Sequence, residues 1–219
     1  MTTQAGRAAE GASLAEAVSD VITRFEAMSA ARDTAVAEGR HVVRLAANAV
    51  RALHRGAFAD ADALLSDARR LLAAIKEQAG AHPNVYWAGY VQDAMKEYAE
   101  ATITAALLRG EPIPTAPALG VEDAAWLNAL AEAGSELRRD VLDALRMDDL
   151  ARAEALLEAM DSIYGALVTV DFPDAITGGL RRTTDQFRAV LERTRGDVTI
   201  SVRQSRLEHA LREAEEGER

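Results

Sequence analysis

The feature that most limits the fold of this sequence is the recurrence of apolar residues three and four positions apart. Near the start, the spacing joins Leu14, Val18 and Ile22 and continues through Phe25 and Met28. Residues at these intervals share one face of an α-helix, and the alternation typical of a β-strand is scarce. Alanine, the best helix former, supplies about a fifth of the chain, whereas glycine and proline are sparse. The pattern predicts an all-α protein.

Glycine and proline indicate where the helices end. One or two long helices are predicted from Ser13 to Gly56, with Gly39 as the weak point between them. Three prolines between Gly110 and Gly120 require a non-helical connection there. The later helices are predicted over 57–80, 84–109, 121–147, 149–170, 180–194 and from 198 onward, the last separated by Arg195-Gly196-Asp197.

The chain shows no internal repeat and no change of composition along its length. We therefore expect a single all-α domain over 13–215, built from about seven helices, with long antiparallel neighbours. A flexible N-terminus over 1–12 and a frayed, charged C-terminus over 216–219 are expected to flank it.

Composition excludes several kinds of site. The absence of cysteine removes disulfides, thiolate metal sites and cysteine nucleophiles. Apolar runs are too short to span a membrane and the start lacks a signal-peptide core, so a soluble cytoplasmic protein without membrane contact is expected. The net charge of -10 opposes contact with nucleic acid over the whole surface, so such a partner requires a separate basic patch.

Two pairs of glutamates are the strongest candidate site. Glu97 and Glu100 lie three apart, and Glu132 and Glu136 lie four apart, so each pair occupies one helix face. If the helices flanking the proline-rich connection pack antiparallel, the pairs lie at similar heights, within roughly 3 Å. Four carboxylates at one interface repel unless a cation, protonation or outward rotation relieves them.

Oxygen-only ligands favour Mg²⁺, Mn²⁺ or Ca²⁺ over zinc or copper. A di-iron centre is disfavoured because it needs two Glu-x-x-His motifs and only Glu38 to His41 supplies one. An all-α nucleotide pyrophosphatase, which also uses paired acids, stays an alternative. So does a purely structural role, in which an alanine- and glutamate-rich helical protein places its acids on solvated faces.

A row of arginines is the candidate basic patch. Arg40, Arg44, Arg51 and Arg55 fall within roughly 60° of one another around a helix, with His54 beside them. Guanidinium groups in a row suit a phosphate backbone, although a solvated face paired with neighbouring acids has the same spacing. For Trp87 and Trp126, packing in the core or at a subunit interface is favoured over base stacking.

Several of these segments resemble the translin superfamily, which includes translin and translin-associated factor X. The resemblance covers roughly residues 40 to 197, and within the superfamily the sequence is most similar to a prokaryotic member. The matching segments are Leu53-His54-Arg55-Gly56, Lys96-Glu97-Tyr98-Ala99-Glu100-Ala101, the run from Trp126 to Arg139, Asp171-Phe172-Pro173-Asp174-Ala175-Ile176 and Thr194-Arg195-Gly196-Asp197.

The resemblance implies an all-α fold assembled into a closed oligomer, commonly an octamer, that holds RNA or single-stranded DNA. Matched to the catalytic type of subunit, it implies that Glu97, Glu100, Glu132 and Glu136 bind Mg²⁺ and support endoribonuclease activity. Here Glu132 replaces an aspartate and Lys96 replaces a glutamine. The basic stretch of translin proper is absent from residues 85–90, which leaves the arginine row to contact RNA.

The resulting hypothesis is a Mg²⁺-dependent endoribonuclease in a homo-oligomeric shell, with Mn²⁺ as a second suitable ion. The substrate is expected to be single-stranded or structured RNA. A shell that only binds RNA or single-stranded DNA is the first alternative, and the pyrophosphatase is the second. The sequence leaves open whether a second translin-like subunit joins the shell.

Overall fold

A computed structural model describes residues 3–217, with the side chains of residues 14–216. Over this range the chain forms helices and turns without a β-strand, which confirms the all-α prediction. The helices, three of them single turns, are α1 (Thr3–Leu53), α2 (Phe58–Ala79), α3 (Pro83–Tyr86), α4 (Gly89–Arg109), α5 (Ala116–Leu119), α6 (Asp123–Arg146), α7 (Leu150–Leu167), α8 (Asp174–Thr177) and α9 (Leu180–Gly217).

The expected flexible and frayed ends fall partly outside the described residues. Residues 1 and 2 lie beyond the described range at the start, as do 218 and 219 at the end, whereas the backbone of residues 3–12 belongs to α1. The single-domain assignment over 13–215 stays a prediction. Across the part of the chain that the structure describes, no helix combines the length and apolar composition needed to cross a membrane.

The relative direction of α4 and α6 differs from the antiparallel arrangement considered from the sequence. Short turns join α1 to α2 and α6 to α7 as antiparallel hairpins. Contacts along α4 and α6 instead join residues with the same separation in the sequence. Lys96 bonds to Glu132, and ten residues earlier Tyr86, in α3, bonds to Glu122, just before α6; each pair is 36 positions apart. The two helices therefore run parallel, and the antiparallel hairpin considered across the proline-rich connection is wrong.

The connection between α4 and α6 must consequently run back along the bundle. At one end Arg109 pairs with Asp62 at 2.6 Å, and at the other the Lys76 ammonium donates to the Gly120 carbonyl at 2.6 Å. Because α2 lies beside this returning segment, the chain reaches the start of α6 near the level at which α4 began. This return aligns the acidic residues of the two helices.

Small residues allow the central helices to pack closely. At Gly39 of α1, an added Cβ would lie 3.2 Å from the Tyr90 carbonyl oxygen, so the backbone of α4 would have to move by a few tenths of an ångström to admit a larger residue where the two helices cross. At Gly134 of α6, an added Cβ would lie 2.6 Å from the Phe187 ring of α9. The core follows these contacts, with many alanines of α4 and α6 completely buried.

The structure decides two helix boundaries that the sequence treated differently. α1 is unbroken at Gly39, one of the two outcomes left open, whereas α9 passes through Gly196 without the predicted end and restart. The reason lies in Asp197, whose carboxylate pairs with Arg138 of α6 at 2.8 Å instead of capping a new helix. Residues 14–27 of α1 and 203–216 of α9 are exposed throughout, so both helices extend beyond the packed bundle.

Candidate metal centre and nucleic-acid surface

Three of the four predicted glutamates come together at the α4–α6 contact. One turn of α4 carries Glu97 and Glu100 on a shared face, and the parallel register brings Glu132 of α6 to the same level. One carboxylate oxygen from each lies within 4.8 Å of the other two. We refer to these three residues as the acidic triad. All three are half-buried, so their mutual repulsion is weakly screened by solvent.

The Lys96 ammonium partly compensates the charge of the triad. Its Nζ lies 2.5 Å from Oε2 of Glu132 and 3.2 Å from Oε1 of Glu97. Burial opposes the charged form of Lys96, but the hydrogen bond and charge of Glu132, with the charge of Glu97, outweigh it and raise its pKa. One ammonium is therefore held against two of the three carboxylates.

Glu100 is the triad member without a basic partner among the described residues. Burial, then the negative charges of Glu132 and Glu97, raises the pKa of Glu100 from 4.5 to about 9. At neutral pH Glu100 therefore carries a proton, and the carboxylates of Glu97 and Glu132 with the Lys96 ammonium leave one net negative charge. This donor set fits a hard divalent cation such as Mg²⁺ or Mn²⁺, which prefers oxygen ligands.

Glu136 lies one turn further along α6 and pairs with a histidine. Its Oε2 is 2.9 Å from Nε2 of His54, while Asp140 Oδ2 is 2.8 Å from Nδ1. Two carboxylate contacts require a proton on each ring nitrogen, so His54 is an imidazolium. The hydrogen bonds that His54 donates to Asp140 and Glu136 raise its pKa from 6.5 to about 9 against the opposing effect of burial. Glu136 thus lies outside the triad.

This pairing also changes the expected role of His54. Its side chain is 4% exposed and both nitrogens are engaged, so the structure separates it from the exposed basic row. Asp140 was missed in the sequence, although it lies four residues after Glu136 on the same helix face. That spacing is the only signal for it, because the partner histidine is 86 positions away.

The arginine row of Arg40, Arg44, Arg51 and Arg55 is exposed to solvent. Arg55 lies just past the end of α1, and Arg51 donates to Asn48 at 2.5 Å. Among the described residues, none of the four pairs with a carboxylate. Their charge is therefore available at the surface, as the nucleic-acid hypothesis requires.

A cleft of about 300 Å³ connects one end of the row to the acidic residues. It is lined by Arg51, Arg139, Glu97, Glu100 and Glu136, with His54 in its wall. We call it the triad cleft. Arg40 and Arg44 do not line it and lie further back along α1. The structure thus places only part of the basic row directly beside the acids.

The two tryptophans have different environments. Trp126 is half-buried against the core, and its indole N–H donates to the Pro114 carbonyl at 2.9 Å. Trp87 follows α3 and is 60% exposed, so the core does not bury it. Core packing is therefore confirmed for Trp126, whereas for Trp87 the core is excluded and packing at a subunit interface stays a prediction.

The fold and site together define an all-α bundle with a carboxylate cluster between parallel central helices. Comparison with solved structures identifies proteins of the same fold. The structure of AfC3PO in complex with duplex RNA and the crystal structure of AfC3PO each share 31% sequence identity at a TM-score of 0.79, covering 87% of this chain and 98% of theirs. The crystal structure of apo-NeC3PO, at 16% identity and a TM-score of 0.76, shows the fold.

A curated relative is an uncharacterized protein of Methanocaldococcus jannaschii, 29% identical over 130 residues, or 59% of this chain and 58% of that protein. The match therefore spans little more than half of either sequence. No protein-family model matches the chain. The identity and coverage shared with AfC3PO show that the chain belongs to the translin family, in which C3PO proteins are grouped.

Proposed function

We propose that this protein is a Mg²⁺-dependent endoribonuclease that cuts single-stranded or structured RNA, with Mn²⁺ as a second suitable ion. The convergence of the acidic triad, with three carboxylate oxygens within 4.8 Å beside exposed arginines, carries the proposal. The complex of AfC3PO with duplex RNA supports RNA as the polymer. Glu97, Glu100 and Glu132 are the proposed metal ligands.

A metal ion bound there supplies an activated water and neutralises charge on the scissile phosphate. The protein's own groups account for the remaining requirements. Arg51 and Arg139 line the triad cleft and position the RNA backbone by contacts to its phosphates. His54 holds Glu136 at the cleft wall, where its carboxylate orients water, and Lys96 limits repulsion among the acids.

Replacing one triad member tests this proposal. Glu100→Gln keeps the shape of the side chain and removes a ligand charge, so cleavage of a labelled single-stranded RNA should fall by at least a hundredfold while RNA affinity is retained. Glu158→Gln is the matched control because Glu158 is exposed on α7, away from the cleft. EDTA should abolish cleavage by the wild-type protein, and Mn²⁺ should restore it.

Other outcomes lead to the alternatives. RNA binding without metal-dependent cleavage, or equal cleavage by Glu100→Gln, would contradict the nuclease and indicate a binding shell. Release of pyrophosphate from a nucleoside triphosphate, with RNA left intact, would favour the pyrophosphatase. Competition between labelled RNA and unlabelled single-stranded DNA measures whether both polymers occupy one surface.

We also propose that the chain forms a homo-oligomeric shell, with eight subunits favoured. Large apolar side chains lie exposed on the projecting parts of two helices: Leu14, Val18, Ile22 and Phe25 on α1, and Leu207 and Leu211 on α9. Within residues 14–216 no segment covers them, and a contiguous apolar face of this kind is typical of an interface. Native mass spectrometry gives the subunit number and detects any second translin-like subunit.

A further inference from the structure

A second cavity adjoins the acidic triad beside the triad cleft. It has a volume of about 580 Å³ and lies between the start of α4, the first half of α6 and the α8–α9 connection. Glu132 and Lys96 form part of its wall, so one side of the cavity is shared with the triad. The volume falls in the range of small-molecule sites and is suited to one nucleobase with its sugar.

An exposed aromatic ring stands at this cavity. Trp87 lines it and is 60% exposed. The neighbouring Tyr86 ring packs edge-on against it, with centroids 5.1 Å apart and an interplanar angle of 80°. Tyr86 is itself held by the hydrogen bond from its hydroxyl to Glu122. The indole is thus supported along one side while much of its surface stays free, as a base-stacking platform requires.

The opposite wall is formed by backbone held in a defined shape. Gly178 and Gly179 have φ values of 62° and 85°, a conformation that other residues rarely adopt, and they add no side chain to the cavity. Asn128 fixes this wall: its amide donates to the Thr177 carbonyl at 2.8 Å, and its Oδ1 accepts from the Thr183 hydroxyl at 2.7 Å. The hydrogen bonds of Asn128 to Thr177 and Thr183 therefore fix this wall and keep the cavity open.

The polar groups around the opening suit a nucleotide. Asp93, Arg182 and Gln186 line the cavity and are exposed, and within the described residues none has a side-chain partner. A carboxylate and an amide complement the donors and acceptors of a base edge, and a guanidinium complements a phosphate. One anionic and one cationic group at the rim match a ligand that presents both a base and a phosphate.

We propose that this cavity binds an unpaired base of the substrate RNA, stacked on Trp87. The inference rests on the proposed function and adds a substrate requirement to it. A base inside a duplex is stacked on both faces and reaches such a cavity only by leaving the helix. Unpaired RNA should therefore bind more tightly than a duplex of the same sequence.

Fluorescence tests the stacking directly because the chain has only two tryptophans. Trp126→Phe leaves Trp87 as the sole indole, and Trp87→Phe leaves Trp126 as the matched control. Both are titrated with a short single-stranded RNA in EDTA, so that no metal-dependent cut can occur. We expect quenching in Trp126→Phe, little in Trp87→Phe, and weaker quenching by the matching duplex.

Affinity and turnover separate this inference from the proposed function. Trp87→Ala should weaken binding of single-stranded RNA about tenfold and raise KM more than it lowers kcat. With the wild-type protein, an RNA with an abasic site should lose the same factor in affinity.

Quenching without any cleavage would overturn the nuclease and retain the base site. Cleavage with unquenched Trp87 and unchanged affinity in Trp87→Ala would overturn the base site alone. A change of subunit number in Trp87→Ala, without quenching, would assign Trp87 to a subunit contact and also overturn it.

Discussion

Lys96 and Glu132 form the contact that joins α4 to α6, with Nζ 2.5 Å from Oε2, at the edge of the acidic triad. The same ammonium lies 3.2 Å from Glu97 Oε1, so it neutralises part of the negative charge that would attract a cation to the triad. A lysine at this position therefore lowers repulsion in the free protein and opposes a second cation beside it.

The first prediction concerns that competition. Lys96→Gln removes the ammonium, so Mn²⁺ should bind at least tenfold more tightly, a change of roughly 1.4 kcal/mol, because a nearby like charge has been lost. Titration calorimetry with Mn²⁺ measures the affinity. Lys76→Gln is the natural control, since Lys76 contacts the Gly120 carbonyl and lies outside the triad. Equal affinities in both variants would show that Lys96 does not compete with the cation, and absence of Mn²⁺ binding in both would contradict a metal role for the triad.

The second prediction concerns His54. His54→Ala leaves Glu136 and Asp140 without their shared cation, so the free energy of unfolding should fall by about 2–3 kcal/mol. This is less than a fully buried pair would lose, because both carboxylates are partly exposed. Urea denaturation measures the loss. His209→Ala is the control, since that histidine is 75% exposed and should change stability little.

The third prediction follows from the same histidine and concerns pH. The pKa of His54 is raised from 6.5 to about 9, so between these values the folded protein binds a proton that the unfolded chain has released. The stabilisation is complete below pH 6.5 and is lost as pH rises through 9, by up to about 3 kcal/mol. The difference in unfolding free energy between wild type and His54→Ala should shrink over this interval. A constant difference would show that folding does not raise the pKa of His54.

The fourth prediction tests the close approach of α6 and α9. Gly134→Ala places a Cβ 2.6 Å from the Phe187 ring, so unfolding free energy should fall by about 1–3 kcal/mol through overpacking. Gly165→Ala, in α7 with nothing within 4 Å of the added Cβ, should stabilise by up to about 1 kcal/mol. Thermal denaturation of both variants compares them; destabilisation of equal size would contradict the packing explanation.

The fifth prediction addresses the arginine row. Arg44→Glu should weaken RNA binding and reduce the slope of log affinity against log salt by about one, if Arg44 contacts one phosphate. Arg203→Glu makes the same charge change at an exposed site on the projecting part of α9. Filter binding at several salt concentrations measures both slopes. If the two variants behave alike, the effect is one of net charge and the row is a solvated face.

The sequence predicted helix faces better than helix directions. Spacing alone identified which side of each helix carries Glu97, Glu100 and Glu132, because a face depends only on residues in one helix. Whether α4 and α6 run parallel depends on the path of the proline-rich connection, which is set by distant contacts such as that of Lys76 with Gly120. The antiparallel assumption gave similar heights, so it placed together three residues that the structure also brings together, but through the wrong helix direction.

Long-range partners also explain the other differences. His54 has the angular position of the arginine row, but carboxylates 82 and 86 residues away draw it into the bundle. Gly196 followed by Asp197 has the local pattern of a helix end, but the ion pair with Arg138 keeps α9 continuous. Trp87 and Trp126 have similar local spacing, and only the packed structure shows that one indole is exposed.

The parallel course of α4 and α6 has a consequence for the order of folding. Between Lys96 and Glu132 the chain must finish one helix, return along the bundle and begin another, so no hairpin can bring the acids together early. The triad is complete only when this long loop has closed. A cation bound there would therefore stabilise the native state more than the transition state for folding, so adding Mg²⁺ should slow unfolding and leave the rate of folding nearly unchanged.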